Sequence, residues 1–409
     1  MTASEPLPLP HHDRLAHHDP LPHHDTVLLT GATGFLGMEL LARLLDDSDR
    51  RVLMLVRARS DEEAQSRLHA TLAAIFDDPG PYSDRVVALC GDLTSPGLGL
   101  DPAAHELALG ASEIIHGASS VAFDLPLDEA RTINVEGTKR MLELAEESHR
   151  RNTLRRFTYV STAYVAGDCG GRVREHAAGP RKRFRNTYEL SKSEAEAFVQ
   201  ERRTLLPVTI VRPSIVVGDQ HTGWTAAFNV IYSPLRAFAS GAFPPMLPAR
   251  RRSPVDVVSV DYVARATLAL SQAEEARGRT FHLVAGDEAN TVGEILDDAA
   301  ERFDQRSPMC VSPRLYRILI HPIALLRSSG SARRQLKRNE VYFPYFGMRM
   351  CFDDSEARAI LDPLGIRPAP LLGYLGVLVE FAQAARWGRH PIGRAQAQAL
   401  ARIAPAPPR

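Results

Sequence analysis

The segment TVLLTGATGFLG, residues 26–37, constrains this chain more than any other stretch. It reads as a short buried strand that runs directly into a glycine turn and then a helix. Gly31, Gly34 and Gly37 follow the pattern G-x-x-G-x-x-G. Without side chains the backbone can approach a pyrophosphate, and the first N–H groups of the helix are unpaired and face it. Thr33, Phe35 and Leu36 complete the turn and join the glycines as expected nucleotide contacts. A second apolar strand, RVLMLV, follows at the distance of a βαβ unit, which lifts the motif above a bare glycine pattern.

The alternation continues. DEEAQSRLHATLAAIF predicts an amphipathic helix, RVVALCGD a third strand and SEIIHGAS a fourth. A long helix is expected from about Asp128 to His149, then a strand in RRFTYVST, a helix carrying Tyr188, and a sixth strand in PVTIVRPS. Such alternation predicts an α/β fold, a Rossmann-type doubly wound parallel sheet with a smaller C-terminal substrate-binding region. Residues 26–218 form the expected NADP-binding domain with the catalytic residues, and 219–400 a mostly helical substrate-binding region. Within the latter, SPVDVVSVDYVARATLAL and RTFHLV resume strand and helix patterns. LYRILIHPIALL and LLGYLGVLVEFA are too short to span a bilayer; core packing is the expectation, a pocket lining or peripheral membrane contact the alternative. Residues 1–25, with His-His-Asp three times among prolines, read as a disordered polar tail or a weak metal binder, and 401–409 as a loose tail.

The chain has 49 basic and 49 acidic residues, a balance that disfavours nucleic acid as a partner. Its four cysteines have no metal spacing, so no metal site is expected and a reducing compartment is. With no apolar run of about eighteen residues and no signal-peptide pattern, the expected location is cytoplasmic.

Dinucleotide folds that select NAD usually place a carboxylate at the end of the second strand. Arg57 stands there, in LVRARS, with Arg67 on the following helix. A cation suits a 2′-phosphate, so the expected cofactor is NADPH. Asp92, with Leu93 beside it, ends the third strand and can accept from the adenine amine. Ala118 and Ser119, after the fourth strand, bring small residues against the nicotinamide.

In NTYELSKSEAEAFV, Tyr188 and Lys192 lie four residues apart and share a helical face. A phenol is a poor acid, with a pKa of about 10, and a fixed ammonium beside it is expected to lower that value. The pair can then protonate a carbonyl oxygen as hydride arrives. Thr162 ends a parallel strand, where ligands of such sheets bind.

With these pieces on one chain, residues 26–270 resemble the extended short-chain dehydrogenase/reductases, and among them the fatty acyl-CoA reductases and thioester reductase domains. The segments that carry the likeness are LLTGATGFLG, GDLTSPGLGL, IIHGASSVAFDLPLDEARTINVEGT, FTYVSTAYVAG, NTYELSKSEAE, VRPSIVVGDQHTGW and SPVDVVSVDYV. The resemblance implies Tyr188 as catalytic acid, Lys192 as its electrostatic partner and Thr162 as the hydroxyl that holds the reacting oxygen, with Ser161 a weaker candidate. It also implies that Asn134 braces the cofactor side and that Pro213, Ser214 and Ile215 line the nicotinamide end. Where the family has paired alanines, this chain has Ala118 and Ser119.

The implied activity is NADPH-dependent reduction of a fatty acyl thioester, on CoA or an acyl-carrier protein, to an aldehyde or, by a second reduction, to an alcohol. RKRFR, residues 181–185, is a solvated loop or a receiver for the acidic carrier. The rival readings are a hydroxysteroid dehydrogenase, a sugar-nucleotide epimerase and a non-catalytic NADPH-binding protein.

Overall fold

A computed structural model describes residues 26–176, 183–228, 230–316, 318, 330 and 345–403. At its centre lie seven parallel strands: β1 Thr26–Thr30, β2 Arg51–Arg57, β3 Val86–Gly91, β4 Glu113–His116, β5 Arg156–Val160, β6 Val208–Pro213 and β7 Thr280–Leu283. They are ordered β7-β6-β5-β4-β1-β2-β3, with every neighbouring pair parallel. This is the doubly wound Rossmann arrangement. Its strand order reverses between β1 and β4, and ligands of such sheets bind beyond the strand ends at that point.

Side chains alternate between the two faces, as the pleat requires. Val27, Leu29, Val52 and Met54 pack under helices α1 (Phe35–Asp46) and α2 (Asp61–Ile75). Leu28, Leu53 and Leu55 face α3 (Pro102–Leu109) and the long helix that follows β4. Ser60 caps α2 by accepting from the Glu63 amide, and three acidic residues in the first turn suit its dipole. The expected helix of about 128–149 is present but interrupted. It runs as α4 (Leu127–Arg131), a π-helical turn (Thr132–Glu136) and α5 (Gly137–Arg150). Helix α6 (Thr187–Glu201) starts at Asn186, whose side chain accepts from the Glu189 amide over 2.9 Å.

Beyond residue 218 the chain returns to this layer. After α7 (Tyr232–Ala239), α8 (Val260–Gln272) packs Ala264 beside Leu40 and Leu41 of α1, and β7 completes the sheet along β6. A second core is built from α7, α9 (Val292–Arg302) and a later helix, through Leu235, Phe238, Leu296, Leu375 and Leu378. Two further segments reach back. After α10 (Ser355–Leu361) comes α11 (Leu375–Ala384), the LLGYLGVLVEFA stretch, which buries Leu375, Leu378, Val379 and Phe381 as core. Helix α12 (Arg394–Ile403) lays buried Arg394 on Glu39 of α1, with Nε 2.8 Å from the carboxylate. Most of LYRILIHPIALL, the His-His-Asp segment and residues 404–409 lie outside the described residues. Among the described residues no helix is long and apolar enough to cross a membrane.

Candidate active site

The glycine turn is shaped by contact. Gly31 adopts φ +80°, and a Cβ on it would meet the Ala118 amide nitrogen at 2.8 Å. A Cβ on Gly37 would run into the Gly31 carbonyl. Gly34 is exposed, donates to the Gly31 carbonyl over 2.9 Å and starts α1 with no side-chain cap. The first amides of α1 are thereby left for an anion. Phe35 packs its ring 5.6 Å from buried Trp224, and Thr33 and Leu36 stay partly exposed at the turn.

Arg57 ends β2 with its side chain exposed, and Arg67 holds the Arg57 carbonyl through Nη1. The strand end thus carries one cation engaged with the backbone and one reaching solvent. Asp92 accepts from the Thr94 amide and hydroxyl, both at 2.8 Å, while the Leu93 carbonyl accepts from Arg140.

In the loop after β4, Ala118 donates its amide to Thr30 Oγ1, and Ser119 is partly exposed beside it. Asn134, in the π-helical turn, is buried; its Oδ1 accepts from the Ser120 amide over 2.8 Å. π-turns often mark functional positions.

Tyr188, Lys192 and Thr162 come together at the end of β5. Thr162 is buried, and its side chain lies close enough to the Tyr188 phenol to act on its acidity. Lys192 Nζ donates to the Val160 carbonyl over 2.8 Å and sits 4.3 Å above the Tyr159 ring. The expected acidification of the phenol is not what this arrangement does. Burial pushes Tyr188 up to about 12, against a smaller opposing effect of Thr162. Burial also brings Lys192 down to about 7, so the lysine is only partly charged near neutrality.

Pro213 and Ser214 close this end, the Ser214 amide donating to the Leu283 carbonyl and Thr162 Oγ1 lying 3.4 Å from the Pro213 carbonyl. Ile215 opens a short strand, Ile215–Val217, that pairs with Val257–Ser259. The Ser161 hydroxyl turns the other way, to Glu196 at 2.5 Å. Glu196 is buried against Arg212, which grips it through two nitrogens. Burial raises the Glu196 carboxyl, but Arg212, Ser161 and Gln200 together outweigh this and hold it below its ordinary value.

Sequence reasoning passed over Glu196 although it lies four residues beyond Lys192, on the same face of α6. It also missed Phe123 and Tyr345. The Phe123 ring lies 5.7 Å from that of Tyr188 and 5.6 Å from that of Tyr345. Tyr345 donates to fully buried Glu189 over 2.6 Å, which places a C-terminal residue beside the start of α6. In RKRFR, Arg181 and Lys182 lie outside the described residues. Arg185 is nearly buried and paired with Glu189 at 3.2 Å, while Arg183 is exposed.

A Rossmann sheet with a glycine cradle at the end of β1 and a Tyr-x-x-x-Lys pair facing a threonine at the end of β5 defines an extended short-chain dehydrogenase/reductase. More narrowly, the chain belongs to the male sterility protein family, whose sequence model matches residues 29–267. It is 35% identical over 251 residues to isonitrile lipopeptide synthase of Streptomyces coeruleorubidus, a match over 60% of this chain and 16% of that protein. Over 281 residues it is 31% identical to fatty acyl-CoA reductase 1 of Mus musculus, covering 59% of this chain and 53% of that one. The chain therefore spans about half or less of the length of these relatives. Among solved structures, the terminal R domain from the myxalamid PKS-NRPS biosynthetic pathway superposes with a TM-score of 0.75 at 26% identity, covering 90% of this chain and 92% of that one.

Proposed function

We propose that the chain is an NADPH-dependent reductase of fatty acyl thioesters, carried on CoA or an acyl-carrier protein, yielding an aldehyde and then an alcohol. The observation that carries this reading is the meeting of Tyr188, Thr162 and Lys192 at the end of β5, next to an uncapped glycine turn. Likeness to a fatty acyl-CoA reductase and to an R domain supports the thioester as substrate.

The residues present fit the cofactor. Gly31, Gly34 and Gly37 leave room for a pyrophosphate at the α1 amides, Arg57 offers a cation to the 2′-phosphate, and Ala118, Ser119, Pro213 and Ser214 are small residues at the nicotinamide end. NADPH supplies the hydride when bound. The protein's part is to receive the oxygen. Thr162 and Tyr188 present two hydroxyls to it, and a preorganised donor of this kind is worth about 3 kcal/mol to an oxyanion. With its pKa near 12, the Tyr188 phenol carries its proton at neutral pH and can give it to the oxygen as the carbonyl π bond breaks. The hemithioacetal so formed loses thiol to leave the aldehyde, and a second hydride and proton give the alcohol. Lys192 holds the end of β5 and, as it takes up a proton, returns positive charge to the phenolate.

The test supplies NADPH with acyl-CoAs of graded length and with acyl-carrier thioesters, and identifies products by mass spectrometry. Aldehyde or alcohol formed in step with NADPH oxidation is the expected result. Turnover of sterols or sugar nucleotides in place of thioesters overturns the reading.

A further inference from the structure

Between the glycine turn and α6 runs a line of buried polar groups whose direction can be read atom by atom. The Ala118 amide donates to Thr30 Oγ1 over 3.1 Å. The Thr30 hydroxyl keeps one proton and one lone pair for His116 Nδ1, 2.7 Å away, so the other side of the ring decides the direction. On the far side of the imidazole, Thr138 Oγ1 lies 2.6 Å from the Asn134 carbonyl, which can only accept. With the Thr138 proton committed there, the 3.1 Å contact between Thr138 and His116 Nε2 needs its proton on the ring nitrogen. Asn134 carries the line onward, its Nδ2 donating to Ser120 O over 3.1 Å and to Ser191 Oγ over 2.9 Å. Ser191 in turn donates to the Tyr188 carbonyl over 3.1 Å.

We propose that His116 is a positioning residue, a neutral imidazole protonated on Nε2 that locks the glycine turn, the loop after β4 and Asn134 into one register for the nucleotide. Thr30, His116, Asn134 and Thr138 are all at most 2% exposed, so a group left unpaired here has no water to turn to. Thr30 immediately precedes Gly31, and the Gly31 turn already touches Ala118 too closely for a Cβ. A slip at the imidazole therefore moves the cradle and the nicotinamide side together. Burial, and then the charge of Lys192, hold the ring neutral, with a pKa of about 3. The role in nucleotide binding rests on the cofactor reading above.

Two measurements test it. In 15N-labelled protein, the two nitrogens of the His116 ring are expected to show the neutral tautomer with the proton on Nε2; a proton on Nδ1, or on both, overturns the proposal. Titration of NADPH fluorescence then compares the wild type with His116→Phe and His116→Gln. Phenylalanine has neither acceptor nor donor and is expected to weaken NADPH binding about tenfold or more, the loss that follows when buried partners go unpaired. Glutamine has one of each and is expected to recover most of that loss. A phenylalanine variant that melts earlier yet binds NADPH as the wild type does shows an ordinary core residue and overturns the role. Should the wild type itself fail to bind NADPH, the cofactor reading and the positioning role fall, while the ring nitrogens still decide the tautomer.

Discussion

Lys192 Nζ donates to the Val160 carbonyl across 2.8 Å, tying the middle of α6 to the last residue of β5. Two residues beyond Val160 stands Thr162, and one turn before Lys192 stands Tyr188. One hydrogen bond thereby helps set the spacing of the two hydroxyls proposed to hold the substrate oxygen.

The phenol proton is the first point to test. Tyr188→Phe is expected to reduce thioester-dependent NADPH oxidation by about 10²- to 10⁴-fold, the usual range for general acids. NADPH affinity should stay within about twofold, a value typical of a lost contact that the ground state does not use. A variant that turns over normally removes Tyr188 from the mechanism.

The buried lysine makes a signed prediction about pH. Its pKa in the folded protein is about 7, against an ordinary 10.5. Between these values the unfolded chain binds more protons than the folded one, so the Lys192 contribution makes stability rise with pH. Urea denaturation across that range should show a shallower rise for Lys192→Met than for the wild type. Equal slopes would mean that Lys192 is charged in the folded state throughout.

Arg57 is expected to govern the choice of cofactor. Arg57→Ala should raise the KM for NADPH about tenfold or more, the loss of one charge-assisted contact, and change that for NADH little. Parallel losses with both cofactors would show that Arg57 supports the strand end and not the phosphate.

Arg394 of α12 is 8% exposed and faces Glu39, which is fully buried. Removing Arg394 leaves buried Glu39 with Arg43 alone, whose Nε lies 2.7 Å away, so Arg394→Ala is expected to cost about 1.5–3 kcal/mol in chemical denaturation, the loss of a charged hydrogen bond. Replacing both residues by leucine should cost far less. A double variant as unstable as the single one would point to lost packing.

The sheet was largely legible because its signals are local. Val27 to Leu29 is a buried run next to a glycine turn, and the six strands up to Pro213 fall where their apolar runs do. The meeting of Tyr188, Lys192 and Thr162 was legible for the same reason, each lying in a short pattern. What stayed hidden depends on distance along the chain. Arg394 and Glu39 are 355 residues apart, and Tyr345 and Glu189 are 156 apart, so no window contains either pair. The π-turn at Asn134 has no compositional mark. The Tyr188 pKa was misjudged because spacing reveals a charged neighbour but not the depth at which both groups sit.

The placement of β7 has a practical consequence for anyone who dissects this protein. All six residues of β6 are buried, and its outer edge is covered by a strand that arrives some seventy positions later. A fragment ending at residue 218 would present that edge as an uncovered hydrogen-bonding template, an invitation to precipitation or to pairing with its own copies. Fragments meant to capture the nucleotide half alone should therefore extend past Leu283.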